Sequence, residues 1–211
     1  GDEMAQIHGK RSFIYGSLGF HLKNMLLHTF FFLLILLYLR FLKVEKAAMF
    51  ISILPLFGAF YSFRSVLRLV RGGEAEQKVV DALSRLDDRY HIVRNYKFPG
   101  GDIDVLVVGP SGIFVFEVKS VKGKVIANRS GVWYGRKNFC EQLERCVDFV
   151  RKKLEGFENC LRYALIIDGG RIERRDGKFV LRWWDVLKFV KKSRARLSEE
   201  DIAYIMENLG V

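Results

Sequence analysis

Three carboxylates and a lysine stand near the ends of an apolar stretch that runs from residue 102 to residue 120. Asp102 and Asp104 lie at its beginning, and Glu117 and Lys119 lie at its end. Side chains alternate between the two faces of a strand, so the members of each pair share a face. Carboxylate oxygens are the ligands that Mg²⁺ prefers, and a neighbouring lysine can position a water for attack. The set therefore suits metal-assisted hydrolysis of a phosphodiester.

The stretch predicts a β-hairpin that turns at residues 109–112, with the sequence GPSG. A two-residue loop places Asp104 opposite Glu117 and Asp102 opposite Lys119, whereas a three-residue loop shifts this register by one residue. Carboxylates that face each other across a sheet repel, so a compensating divalent cation is expected. Solvated strand ends that pair with Lys119 are the alternative explanation.

The rest of the soluble part predicts the elements that must position this hairpin. Apolar spacing and turn residues indicate helices over 74–86, from about 138 to 157 and over 197–210, strands over 90–98 and 162–168, and a segment over 178–193 that begins extended and ends helical. Ser198 is the expected N-cap and Gly210 the expected end of the last helix. Gly72 and Gly73 are expected to separate the first of these helices from the apolar segment before it. The order predicts an α/β fold with a mixed central sheet flanked by helices.

Two uncharged apolar runs precede this part, from Asn24 to Leu39 and from Ala47 to Phe63. Each run is slightly shorter than the ~20 residues that cross a bilayer, and flanking lysine and arginine side chains can extend it by snorkelling. We predict a transmembrane helical hairpin over 24–68 that contacts the lipid bilayer. A buried helical hairpin, or an oligomerisation surface in a soluble protein, is the alternative.

Charge and cysteine content indicate the cellular compartment of the protein and the kinds of site that it lacks. The net charge is +11, but residues 72–211 hold 26 Lys/Arg against 21 Asp/Glu and are only mildly basic. Three cysteines without a C-x-x-C motif, and four histidines without ligand spacing, argue against a disulfide framework and a zinc site. Reduced cysteines favour a cytoplasmic domain at a prokaryotic-type cell membrane, with both chain ends inside. The positive residues that flank the two runs nearly balance and do not decide the orientation: Lys10, Arg11, Lys23, Arg40, Lys43, Lys46, Arg64, Arg68 and Arg71.

The chain resembles the NERD (nuclease-related) domain, a branch of the PD-(D/E)xK nuclease superfamily, over about residues 72–170. The resemblance rests on these features in chain order: Glu76-x-x-Val79, Asp102 to Pro110, Gly112 to Lys119, Gly123, Trp133 and Asn138-x-x-x-Gln142. Ala75 and Phe139 stand where the family usually has glycine and proline. The resemblance implies a restriction-endonuclease-like core. We therefore divide the chain into an N-terminal segment (1–23), the membrane hairpin (24–68), a NERD-like nuclease domain (72–193) and a C-terminal helix (194–211).

The resemblance also implies roles for five side chains. Asp104 and Glu117 would hold the metal, which is expected to be Mg²⁺ or Mn²⁺. Lys119 would position the attacking water or stabilise charge on the phosphate. Glu76 would bind a second metal or orient a water. Gln142 would contact the phosphate or the metal shell.

The implied partner is nucleic acid, with DNA as the expected substrate. Backbone contacts are expected from four basic residues: Lys122, Lys124, Arg136 and Lys137. Asp102 does not match the key aspartate of the family and is expected to pair with Lys119 or Lys122. We predict a membrane-anchored, metal-dependent endonuclease that hydrolyses DNA phosphodiesters on the cytoplasmic face. A catalytically silent, membrane-tethered module that binds nucleic acid or protein, and a structural protein of the lipid surface, are the alternatives.

Overall fold

A computed structural model describes residues 4–9, 12–42, 47–174 and 180–211. The described residues form two compact units, one within Arg11–Gly73 and one made from parts of Gly1–Lys10 and Glu74–Val211. Several predicted features lie outside the described residues. They are the connector of the predicted hairpin at 43–46, the start of the segment 178–193, and the flanking positive residues Lys10, Arg11, Lys43 and Lys46.

The Arg11–Gly73 unit contains helix α1 (Ser12–Leu42) and the first part of helix α2 (Ala47–Leu83). Among the described residues, one helical stretch, Leu18–Phe41, is long and apolar enough to cross a membrane. Its mean hydropathy is 1.8, and 0% of it is buried. Membrane spans and signal sequences share this length and composition. One candidate span thus gives weak support to membrane attachment, and it does not show the predicted pair of spans.

The second unit is built on a mixed sheet of eight strands, counted over the described part of the chain. The strands are β1 (Gln6–His8), β2 (His91–Phe98), β3 (Gly101–Gly109), β4 (Gly112–Asn128), β5 (Gly131–Tyr134), β6 (Lys137–Asn138), β7 (Leu161–Arg174) and β8 (Val180–Leu181). Strands β1 to β6 are neighbours in sequence order, and β7 pairs in parallel with both β4 and β8. The predicted mixed α/β architecture is confirmed at this level.

Helices cover both faces of this sheet. Helices α3 (Cys140–Lys153) and α5 (Glu199–Leu209) pack in one apolar cluster, together with Val115 of β4. The end of α2 and helix α4 (Val186–Lys191) pack in the other cluster, together with Phe116 of β4. Consecutive residues of a strand point to opposite faces, so the sheet lies between two layers of helix.

The observed ends of two helices can be compared with the cap and the helix break that the sequence predicts. Helix α5 begins with a capping box between Ser198 and Asp201 and ends at Gly210, which has a φ of 75°, as predicted. Helix α2, in contrast, continues through Gly72 and Gly73, so the predicted break there is wrong. Neither glycine adopts a positive φ. Glycine weakens a helix by roughly 1 kcal/mol but does not end it.

Candidate active site

Strands β3 and β4 form the predicted hairpin. Their paired residues run from Gly109 opposite Gly112 to Val105 opposite Phe116, which is the register of the two-residue loop. One further pair would place Asp104 opposite Glu117, but the pairing ends before it. The backbone N–H of Val118 instead donates to Oδ2 of Asp104 at 2.7 Å. The two carboxylates therefore lie where the strands separate.

Strand β3 is also irregular at this point on its other side. Arg94 pairs with Val105 and Tyr96 with Ile103, but the intervening pair of Asn95 and Asp104 is missing from the ladder. Asn95 has a φ of 50°, a left-handed conformation that asparagine tolerates better than most residues. Asp104 therefore pairs with no residue in the ladders to β2 and β4. Its side chain is held by the hydrogen bond from the backbone of β4.

Glu117 is the buried charge of the site, with an exposed fraction of 1%. Neither of its carboxylate oxygens has a hydrogen-bond partner of normal geometry among the described residues, although Oε1 forms an ion contact with Nζ of Lys119. Burial, and then the charge of Asp104, raise the pKa of Glu117 to about 8. Burial likewise raises the pKa of Asp104. Buried carboxylates without full compensation are costly, so the pair favours either a bound proton or a bound cation.

Lys119 connects Glu117 to helix α3. Its Nζ donates to Oε1 of Gln142 at 3.1 Å, and its side chain is 22% exposed. Burial lowers the pKa of Lys119, but the charge and hydrogen bond of Glu117, together with the charges of Asp104 and Asp102, outweigh this effect, so the pKa of Lys119 is raised. The start of α3 is held by Asn138, whose Oδ1 accepts from the backbone N–H of Cys140 at 3.1 Å. The structure thus brings Lys119 and Gln142 together beside Glu117.

Glu76 lies near the end of α2, close enough to the β3–β4 hairpin for the charges there to shift its pKa. Burial, and then the charge of Asp104, raise the pKa of Glu76 to about 7, while the guanidinium of Arg94 lowers it. Glu74, the neighbouring glutamate, is exposed. Arg94 is only 8% exposed and lies on β2. Sequence reasoning missed Arg94, although a charge inside the apolar strand could have drawn attention to it.

Residues 71–167 match the NERD family, described as the nuclease-related domain. This segment contains all five of the predicted catalytic side chains: Glu76, Asp104, Glu117, Lys119 and Gln142. The match supports the predicted domain and its relation to nucleases. No curated protein and no solved structure matches the chain.

The carboxylates of the matched segment suit a hard cation with few protein ligands. Among the described residues, no three His, Cys, Asp or Glu side chains lie together in a way that could hold one metal ion. Asp104 and Glu117 supply carboxylate oxygens at the strand separation, and the oxygens of Glu117 are buried. Mg²⁺ keeps several waters and is often held by one or two carboxylates. Glu76 as a metal ligand stays a prediction.

Asp102 has a different partner from the predicted one. Its Oδ2 pairs with Nζ of Lys97 at 3.0 Å, and not with Lys119 or Lys122. Lys97 faces Asp102 directly in the register between β2 and β3. Because the pairing of β3 with β4 begins only at Val105, Asp102 pairs with the strand on its other side.

The four basic residues predicted to contact nucleic acid lie on β4 and around the turn between β5 and β6. Lys122 and Arg136 are exposed. Lys124 pairs with Oε2 of Glu173 at 2.8 Å, and Nζ of Lys137 lies 6.0 Å from the ring centre of Phe139. Lys122 and Arg136 are therefore the more available of the four.

Proposed function

We propose that the protein is a metal-dependent nuclease that hydrolyses phosphodiester bonds of DNA, with Mg²⁺ or Mn²⁺ as cofactor. The observation that carries this proposal is Glu117, a buried carboxylate that lies beside Asp104 where β3 and β4 separate, in ion contact with Lys119. The segment that contains it is nuclease-related. A site for a divalent cation accounts for both facts.

The side chains around this pair have suitable chemistry for hydrolysis. Asp104 and Glu117 would hold the cation, which when bound supplies Lewis-acid activation of water and of the phosphate. Lys119 keeps its charge and can donate to a phosphate oxygen or position the attacking water. Gln142 holds the ammonium group of Lys119 in place. Glu76 has a pKa of about 7, which suits a group that accepts a proton near neutral pH.

Binding of the polyanion would use the phosphate backbone. The exposed side chains of Lys122 and Arg136 are the first candidates, and Lys124 and Lys137 are the second. Contacts of this kind do not read bases, so we expect weak sequence preference and strong salt dependence. Neutralising Lys122 and Arg136 together should raise the KM for DNA and reduce the salt dependence of binding.

We further propose that a helical hairpin over 24–68 anchors the protein in the cell membrane, with the nuclease domain on the cytoplasmic side. The candidate span Leu18–Phe41 and the free cysteines Cys140, Cys146 and Cys160 support this arrangement. Membranes from expressing cells, washed at alkaline pH, should retain the full chain. Protease added to intact spheroplasts should leave the nuclease domain uncut. Release by the wash contradicts the anchor, and cleavage by the protease contradicts the orientation.

Two aspartates on one strand provide a matched test of the nuclease. The purified full chain in detergent is incubated with double-stranded DNA, single-stranded DNA and RNA, with Mg²⁺, with Mn²⁺ or with EDTA. Asp104→Asn should reduce cleavage by more than about 100-fold, at least the effect seen for groups adjacent to metal ligands. Asp102→Asn makes the same chemical change beside Lys97 and should stay within a few fold of wild type. Equal activity of wild type and Asp104→Asn would remove the support for the enzyme.

A catalytically silent binding module is the second candidate, and one contact favours it. Lys119 already lies in ion contact with Glu117 and thereby neutralises a carboxylate that a cation would need. A module of this kind would bind DNA without divalent ions and would cleave none of the substrates. Binding that is unchanged by EDTA, with intact DNA under all conditions, would establish this alternative.

A further inference from the structure

A polar cavity lies at the turn end of the β3–β4 hairpin. Its volume is about 880 Å³, and four separate segments line it: Met4, residues 85–90, the turn at Pro110 and Ser111, and residues within 191–196. The turn lies six residues from Asp104 along β3, which corresponds to about 20 Å at the rise of a strand. The cavity is therefore separate from the candidate active site.

Buried contacts fix the part of the cavity that lies at the turn. The hydroxyl of Tyr90 donates to Oγ of Ser111 at 3.0 Å, and both residues are buried. The ring of Tyr90 packs against the bare backbone of Gly109, where a Cβ atom would lie 2.2 Å from the ring. The backbone N–H of Leu197 donates to the carbonyl of Pro110 at 3.1 Å and ties the 191–196 segment to the turn. A buried side-chain contact and a backbone hydrogen bond thus hold the turn in place within the lining of the cavity.

The lining of the cavity has an excess of positive charge. Its cationic side chains are Arg85, Arg89, Lys191 and Arg196, and its carboxylates are Asp87 and Asp88. Arg89 is occupied by Asp87 through bonds of 3.1 and 2.9 Å. The guanidinium of Arg196 is held by the carbonyls of Ser193 and Ala195. Within the described part of the chain, Arg85 and Lys191 form no ion pair with a carboxylate.

We propose that this cavity binds a small soluble anion that carries two or more linked phosphate groups and has the size of a nucleotide. Guanidinium groups match the geometry of phosphate oxygens, and lysine is a common partner for phosphate charge. The excess of two positive charges matches a ligand with at least two phosphates. The cavity falls within the roughly 300–1,000 Å³ of small-molecule sites and is far larger than a single phosphate.

Two further groups of the lining can form hydrogen bonds with the part of a ligand that carries no phosphate. The hydroxyl of Ser111 accepts from Tyr90 and keeps its own proton to donate to a ligand. The carboxylate of Asp88 can accept from a sugar hydroxyl or a base amino group. Both groups suit the non-phosphate part of a nucleotide, so ATP should bind more tightly than inorganic tripolyphosphate.

The test is a titration of the purified full chain in detergent, with EDTA and about 0.15 M salt to screen weak charge effects. ATP, tripolyphosphate and inorganic phosphate are added, and binding is measured by calorimetry. Wild type should bind one ATP or tripolyphosphate per chain. A variant with Arg85→Gln and Lys191→Gln should bind both at least about tenfold more weakly, because it loses two charge-assisted contacts. These side chains are exposed, so the variant should fold normally.

A matched control removes the same charge elsewhere. Arg145→Gln with Lys152→Gln alters two exposed side chains of α3 that do not line the cavity, and should bind ATP like wild type. An equal loss in both double variants would show non-specific charge attraction and overturn the proposal. Absence of saturable binding to ATP and tripolyphosphate, or equally tight binding of inorganic phosphate, would also overturn it. The titration includes no divalent cation, so its outcome is independent of any nuclease activity.

Discussion

Replacing Glu117 by glutamine should remove a pH-dependent loss of stability from the metal-free protein. Burial, followed by the charge of Asp104, raises the pKa of Glu117 from 4.5 to about 8. The folded protein keeps a proton on this carboxyl at pH values where the unfolded chain has released it. This contribution to stability is fully present below pH 4.5 and is lost as the pH rises through about 8. Glutamine resembles the protonated acid and does not titrate.

The magnitude follows from the two pKa values. Between pH 5 and pH 8, a group that titrates alone with these values would cost about 4 kcal/mol of stability. Asp104 titrates together with Glu117, and Lys119 partly compensates the charge, so we expect roughly 2–4 kcal/mol. In a protein of this size, 1 kcal/mol corresponds to about 2–4 °C in melting temperature. Wild type should therefore lose roughly 5–15 °C relative to Glu117→Gln over this range.

The assay is thermal unfolding of the full chain in detergent with EDTA, followed by tryptophan fluorescence at pH 5, 6, 7 and 8. Glu155→Gln makes the same carboxyl-to-amide change at an exposed position and should follow the wild-type profile. The other titratable groups around Glu117 are common to both proteins: Glu76, Asp102, Asp104, Lys119 and Cys146. Their titration cancels in the comparison except for that of Asp104, which is coupled to Glu117.

Addition of Mg²⁺ at pH 8 completes this test. A cation that replaces the proton should raise the melting temperature of wild type and leave Glu117→Gln unchanged. Parallel pH profiles of wild type and Glu117→Gln without metal would refute the reasoning, because Glu117 would then carry no buried charge cost. A Mg²⁺ response of equal size in both proteins would place the cation elsewhere.

Substitutions at four further positions test the catalytic contacts and the fold. Lys119→Met should lower DNA cleavage by more than about 100-fold with little change in DNA binding, whereas Gln142→Ala, which only holds Lys119, should lower it about tenfold; equal losses in single-turnover assays would contradict this order. Ser198→Ala should cost about 1 kcal/mol in urea unfolding through loss of the α5 cap, and Ser198→Gly only a few tenths; equal costs would argue against the cap. Gly109→Ala should cost about 1–3 kcal/mol in the same assay, because its methyl group overlaps the ring of Tyr90; wild-type stability would show that the ring moves at no cost.

Features with a local cause could be predicted from the sequence. The GPSG turn predicts the β3–β4 hairpin with either of two loop lengths, and the structure has the two-residue loop. The cap at Ser198 and the end at Gly210 depend on residues within one turn of α5. Strands β1, β5 and β6 are short and lack their own periodic pattern, and for this reason the sequence did not indicate them.

Features that depend on residues distant in the sequence were harder to predict from the sequence. The partner of Asp102 is Lys97 because β3 leaves β4 near Asp104, and spacing within the hairpin cannot reveal that separation. The role of Arg94 depends on the approach of α2 to β2, which brings its charge close to Glu76. Sequence spacing could suggest a second membrane helix, but the described residues show one candidate span.

The sequence by itself determined the identities of the charged residues, the turn that brings Asp104 and Glu117 to neighbouring strands, and the family resemblance. The tertiary structure alone decided that the oxygens of Glu117 are buried beside Asp104 and that Lys119 lies between Glu117 and Gln142. The reason is that burial and electrostatic coupling arise when the sheet packs against α3 and the end of α2. A carboxylate acquires a raised pKa and a need for a cation only after that packing has removed it from water.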